Sequence, residues 1–101
     1  MSDRTLATMK RIPAADLGGP GSPETASCSA AAIAMLGEAA GEGFRMTSLS
    51  LDVASHAIGE GMVEVATKVD KRARSVVFAS LEARMGAALV FSAQGLFSLD
   101  R

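Results

Sequence analysis

The sequence predicts an α+β fold in which one long central helix is wrapped by a curved antiparallel sheet. Three observations point there. An alanine-rich run over 22–40 carries apolar residues at helical spacing. Four later stretches alternate apolar and polar residues, the pattern of half-buried strands. The last three of these are separated by very short turns, so they must be antiparallel neighbours. Strands with an apolar face need something to lie against, and the helix is the available partner.

The chain begins with a weakly patterned segment over 1–21. Within it, 5–12 fits either a short helix or a strand, and DLGGPGS over 16–22 is a glycine- and proline-rich loop. Backbone N–H groups from such a loop and the next helical turn can hold an anion or a carbonyl oxygen. The Lys-Ser/Thr ending of a phosphate loop is missing. The central helix is expected over 22–40. Ser22 suits its cap, Pro23 its first position and Glu24 its first turn, while Gly41 and Gly43 supply a stop. Ser29, Ile33, Leu36 and Ala40 form one stripe; Cys28, Ala32, Met35 and Ala39 form a second. The two leave little polar face, so burial on most sides is predicted.

The first clear strand is expected over 46–54, with Thr47, Leu49, Leu51 and Val53 on one side and Ser48, Ser50 and Asp52 on the other. A loop over 55–61 follows. The next strand spans 62–70, then a charged turn over 71–74 and a strand over 75–84. Gly86 centres a tight turn before the last strand at 88–99. Phe78, Phe91 and Phe97 are expected to pack the core. Val76 and Phe78 oppose Val77, Ala79 and Leu81, so the third strand is apolar on both faces. A second subunit is expected to cover the outer face, giving a homodimer or homotetramer.

The 101 residues suit one domain, with ten basic against eleven acidic side chains. That balance gives no basic face for nucleic acid and no polybasic patch for a membrane. One cysteine excludes an internal disulfide, and the apolar neighbours of Cys28 predict a buried thiol rather than a nucleophile. No run is long enough to span a bilayer, and the N-terminus lacks the apolar core of a secretion signal, so a cytoplasmic protein is expected. One histidine and one distant cysteine make no metal site, and no GxSxG elbow is present.

Few residues carry chemistry. Glu38 lies near the end of an apolar helix, where a partly buried carboxylate needs partners and can serve as a general base on water; the plainer reading points it to solvent. Asp52 on the polar face of the first clear strand suits exposure, an intersubunit contact or a pocket. His56 reads as a surface or hydrogen-bonded loop residue, with a catalytic base as the lesser alternative. Lys71, Arg72 and Arg74 cluster beside a turn, as a solvated charged turn or a phosphate contact.

Gly18-Gly19 before SPETAS, the helix AAAIAMLGEAAG, MTSLSLDVASHAIGEG and the tail GMVEVATKVDKRARSVVFASLEARMGAALVFSAQGLFSL together resemble the hotdog-fold thioesterases of the phenylacetate-degradation, PaaI-like type. The tail is the most specific part, with Ala73-Arg74 before the third strand and Gly95-Leu96-Phe97 in the last. The resemblance covers 18–99, with a shortened N-terminal part that leaves open whether the first strand is present, missing or swapped. Leu17 stands where the family often has His or Asn, and the family's helix carboxylate falls at Gly37, one residue before Glu38.

The resemblance implies a five- or six-stranded sheet around a central helix and a dimer with a continuous sheet, often paired into a tetramer. It implies an active site between subunits and an acyl-CoA substrate, with coenzyme A entering as part of the substrate and no separate cofactor. The expected activity is hydrolysis of a thioester to an acid and free coenzyme A. Glu38 would be base or nucleophile, Asp52 would orient water, Gly18 and Gly19 would line the carbonyl, and Arg72 and Arg74 would meet the phosphates. The alternative is a non-catalytic hotdog module that binds acyl groups or coenzyme A, or serves as an assembly scaffold.

Overall fold

The computed structural model describes residues 8–99. Its elements run β1 (Thr8–Pro13), a 3-10 turn (Ala14–Leu17), α1 (Thr25–Ala40), β2 (Phe44–Val53), β3 (Met62–Arg72), β4 (Val76–Met85) and β5 (Ala88–Leu99). The strands pair antiparallel in the order β1-β3-β4-β5-β2, so β1 and β2 are the edges. No helix among the described residues is long and apolar enough to cross a membrane.

The later strands fall within two residues of their expected ends. The N-terminal segment resolves as a strand: β1 is neither missing nor swapped, and pairs with β3 from Thr8 against Thr67 to Pro13 against Met62. Thr5, Leu6 and Ala7 of that segment lie outside the described residues.

The helix starts later than its composition suggests. Glu24 is the N-cap, and Pro23 is buried ahead of it. Ser22 does not cap; its hydroxyl donates to the Ser55 carbonyl at 3.3 Å. The reason is the loop, which forms a two-way bridge between Gly21 and Ile58 and so holds Ser22 against the 55–61 segment. Gly41 ends the helix as expected, its N–H reaching the Gly37 carbonyl.

Burial of α1 is also narrower than predicted. Cys28, Ala32, Met35, Leu36 and Ala40 face the sheet, whereas Ala26, Ala30, Ile33 and Ala34 are exposed. Five strands cover one side of a helix, and none of the described residues reaches the other. The buried stripe meets Val63, Val65, Val77, Ala79, Leu81, Ala83, Phe91, Ala93 and Phe97. Each large side chain there contributes roughly 1.5–3 kcal/mol through lost water contact. Small residues at the centre let the helix approach: a Cβ on Gly95 would lie 3.3 Å from Leu36 Cδ1 and 3.0 Å from the Phe97 ring.

Three bulges reset the alternation. In β2 the extra residue is Thr47, so Met46 rather than Thr47 shares the inner face with Leu49, and the Thr47 hydroxyl instead donates to the Leu96 carbonyl. In β3 it is Asp70, which turns Arg72 onto the face it shares with Val77. In β5 it is Val90, which lets both Val90 and Phe91 be buried. Phe91 and Phe97 pack the core as expected, but Phe78 stands on the outer sheet face, 43% exposed. Its neighbours Val77 and Ala79 take the inner positions, and strand alternation leaves Phe78 the other side.

Candidate functional site

A cleft of about 220 Å³ opens between α1 and the β1–β3 flank of the sheet, lined by Thr8, Lys10, Met35, Glu38, Ala39 and Thr67. Pairing of β1 with β3 places its strand side chains, since Thr8 lies opposite Thr67 and Lys10 opposite Val65. On the helix, Glu38 follows Met35 by three residues and flanks the buried stripe. Lys10 Nζ donates to Glu38 Oε1 at 3.1 Å, with the two side chains 47% and 70% exposed. Thr67 is the polar residue buried at the back of this space. A Cβ on Gly37, where the resemblance puts the carboxylate, would meet nothing within 4 Å. Glu38 is therefore the helix carboxylate that lines the cleft.

The glycine turn is organised around its own backbone. Gly18 N–H reaches the Ala15 carbonyl at 3.3 Å, and Gly19 N–H reaches that of Ala14 at 2.9 Å. Glu24 N–H closes onto the Leu17 carbonyl at 2.8 Å. Both glycine donors are thus committed within the turn. Glu24 lies over Gly18 and accepts the Ser27 hydroxyl at 3.1 Å. The turn and Glu38 sit toward opposite ends of α1, roughly 20 Å apart at 1.5 Å per residue.

The basic residues divide. Arg72 donates to the carbonyls of Ala39 and Ala40 at 3.0 and 3.1 Å and sits 5.9 Å from the Phe44 ring centroid. It neutralises the negative end of the helix rather than standing free for a ligand. Arg74 is exposed in the β3–β4 turn at the same end of the molecule. Asp52 lines a separate trough of about 560 Å³ on the outer face, with Ser50, Lys68, Ser80, Glu82 and Gln94 among its walls. The sheet separates it from Glu38, so the two carboxylates of one chain do not share a site.

His56 is held by hydrogen bonds, its ring nitrogens each 3.2 Å from a carbonyl, those of Ala57 and Leu89. Cys28 is fully buried. Burial pushes its thiol above the ordinary range, and the negative charge of Glu24 adds to the push. Among the described residues no three metal-ligating side chains come together.

Lys10, Thr8 and Thr67 escaped sequence reasoning. Lys10 lies where helix and strand fitted equally, so no face could be given to it. Each strand face there carries one apolar and one charged residue, Met9 with Arg11 and Lys10 with Ile12, so alternation gives no signal.

No family model matches the sequence, and no curated protein matches it. Solved structures do match in shape. A conserved protein from Pseudomonas aeruginosa, PA5202, superposes with a TM-score of 0.74 at 17% identity, over 94% of this chain and 87% of that one. A hypothetical thioesterase from Streptococcus pneumoniae, solved with coenzyme A, gives 0.73 at 10% identity, over 98% and 80%. The Escherichia coli PaaI protein from the phenylacetic acid degradation operon gives 0.71 at 11%, over 96% and 73%. The chain has the hotdog fold, as one helix against five antiparallel strands in this order requires.

Proposed function

We propose that the protein hydrolyses acyl-CoA thioesters, with Glu38 as the general base. The observation that carries this reading is the Glu38 cleft, a carboxylate on the central helix beside a cation and two hydroxyl groups. The shared fold supports it, because one matched structure is a hypothetical thioesterase solved with coenzyme A. Glu38 accepts a proton from water as the water oxygen attacks the thioester carbon. Thr8 and Thr67 supply hydroxyl donors for the developing oxyanion. The carbon–sulfur bond then breaks, and the proton passes to the departing thiolate. Arg74 meets coenzyme A phosphates at the helix C-terminal end, while Arg72 holds that end in place.

The assembly we propose is a homodimer joined along β2. The β1 edge carries Lys10, Arg11 and Pro13, which guard it against pairing, whereas β2 offers an uncharged run over 46–51. The cleft belongs to β1, β3 and α1 of one chain, on the flank away from that edge.

The committed N–H groups of Gly18 and Gly19 favour a second reading, a non-catalytic module that binds acyl groups or coenzyme A. Thiol release from a panel of acyl-CoA and aryl-CoA substrates separates the two. Turnover by the native protein that is lost in a folded Glu38→Gln supports hydrolysis. Coenzyme A binding without turnover of any substrate supports the module. Light scattering on the same samples tests the dimer; a monomer at micromolar concentration would sink it.

A further inference from the structure

The lining of the Glu38 cleft speaks to the acyl group it takes, an inference that rests on the hydrolytic reading above. Its volume of about 220 Å³ matches roughly seven waters at ~30 Å³ each, less than the usual range for drug-sized ligands. Four of its six lining residues, Thr8, Lys10, Glu38 and Thr67, are polar or charged. A long alkyl chain or an aryl ring would need an apolar sleeve, and Met35 and Ala39 alone do not make one.

Lys10 is the distinguishing group. Its ammonium carries three N–H donors, and the contact with Glu38 Oε1 uses one of them. The pair is largely exposed, so each partner can be shared with a third group at little loss. We propose that Lys10 selects short acyl groups bearing a second carboxylate, the monothioesters of four- or five-carbon dicarboxylic acids.

The terminal carboxylate of such a substrate takes a second ammonium proton of Lys10. Its thioester carbonyl then lies a few bonds away, toward Thr8 and Thr67. Glu38 stays anchored through Oε1, leaving Oε2 to accept the proton of the attacking water. An ammonium can bridge two carboxylates, each taking one of its protons. A neutral acyl group of equal length fills the same space and leaves the ammonium contact unused. Each turnover consumes one water and yields a free dicarboxylate and coenzyme A.

The test compares succinyl-CoA with butyryl-CoA, equal in chain length and different in the terminal carboxylate, and adds phenylacetyl-CoA. The native protein should favour succinyl-CoA in kcat/KM by about tenfold or more, the scale of one charge-assisted contact. Lys10→Met should bring the ratio close to one, chiefly by raising KM for succinyl-CoA, and Lys10→Arg should keep most of the preference. Circular dichroism of each variant confirms folding. A native preference for butyryl-CoA or phenylacetyl-CoA, or a ratio unmoved in Lys10→Met, overturns the assignment while leaving the hydrolytic reading intact. Absence of turnover on all three overturns both.

Discussion

Glu24 lies directly over Gly18: a Cβ at position 18 would fall 2.7 Å from Glu24 Cγ and 3.1 Å from its backbone nitrogen. Gly18 also has a φ of 103°, which side chains other than hydrogen rarely adopt. Gly18→Ala therefore meets strain and a backbone clash together. It should lower stability by about 2 kcal/mol, as αL strain alone costs roughly 1–2. A urea titration checks this; an unchanged midpoint would mean the turn can reshape without loss.

Arg72 joins the sheet to the end of the helix. Arg72→Ala removes two bonds to α1 carbonyls and the Phe44 contact. The group is partly exposed, so the expected loss is about 1 kcal/mol rather than the full value of buried charged bonds. Arg72→Lys should recover only part of it, because one ammonium does not reproduce the guanidinium fork. Thermal melts of the three proteins rank them, and an order other than native, Lys, Ala would contradict the capping role.

Two glycine substitutions should move stability in opposite directions. Gly37→Ala adds a methyl into open space on α1 and should stabilise by about 0.5–1 kcal/mol through helix propensity. Gly95→Ala pushes a methyl against Phe97, Met46 and Leu36 and should destabilise by roughly 1–3 kcal/mol. Equal shifts in the two variants would show that the helix does not sit against Gly95 as described.

The Cys28 thiol should make stability fall in alkali. Its native value is raised, so the unfolded chain loses the proton first as pH rises. The contribution is complete below about pH 8.5, the ordinary thiol value, and is lost as pH climbs through the native one. Urea midpoints between pH 7 and 10 should decline more steeply for the native protein than for Cys28→Ala. Parallel curves would show that Cys28 ionises alike in both states.

The sequence exposed the strands from Met62 onward because each alternates without interruption over 62–69, 76–85 or 91–99, which leaves one consistent face. It exposed the buried Cys28 stripe for the same reason at helical period. It did not expose β1, whose six residues are too few for either period to prevail. Ser22 misled because its hydroxyl looked like a cap while the Gly21–Ile58 bridge had already placed it elsewhere. The Lys10–Glu38 pair spans 28 residues, and local pattern carries no information about such a meeting. Lys71, Arg72 and Arg74 look like one cluster in sequence, and the bulge at Asp70 decides that Arg72 rather than Lys71 takes the inner face.

That bulge makes the length of β3 matter to a helix it does not adjoin in sequence. Inserting one residue after Asp70 would carry Arg72 to the solvent face and bring Lys71 beneath the helix end, whereas deleting Asp70 would remove the bulge and leave Arg72 on the inner face. A same-length replacement of Asp70 leaves the count intact. An insertion here would thus act on the far end of α1, some thirty residues upstream, and alter the footing of Glu38 while every residue lining its cleft stayed the same.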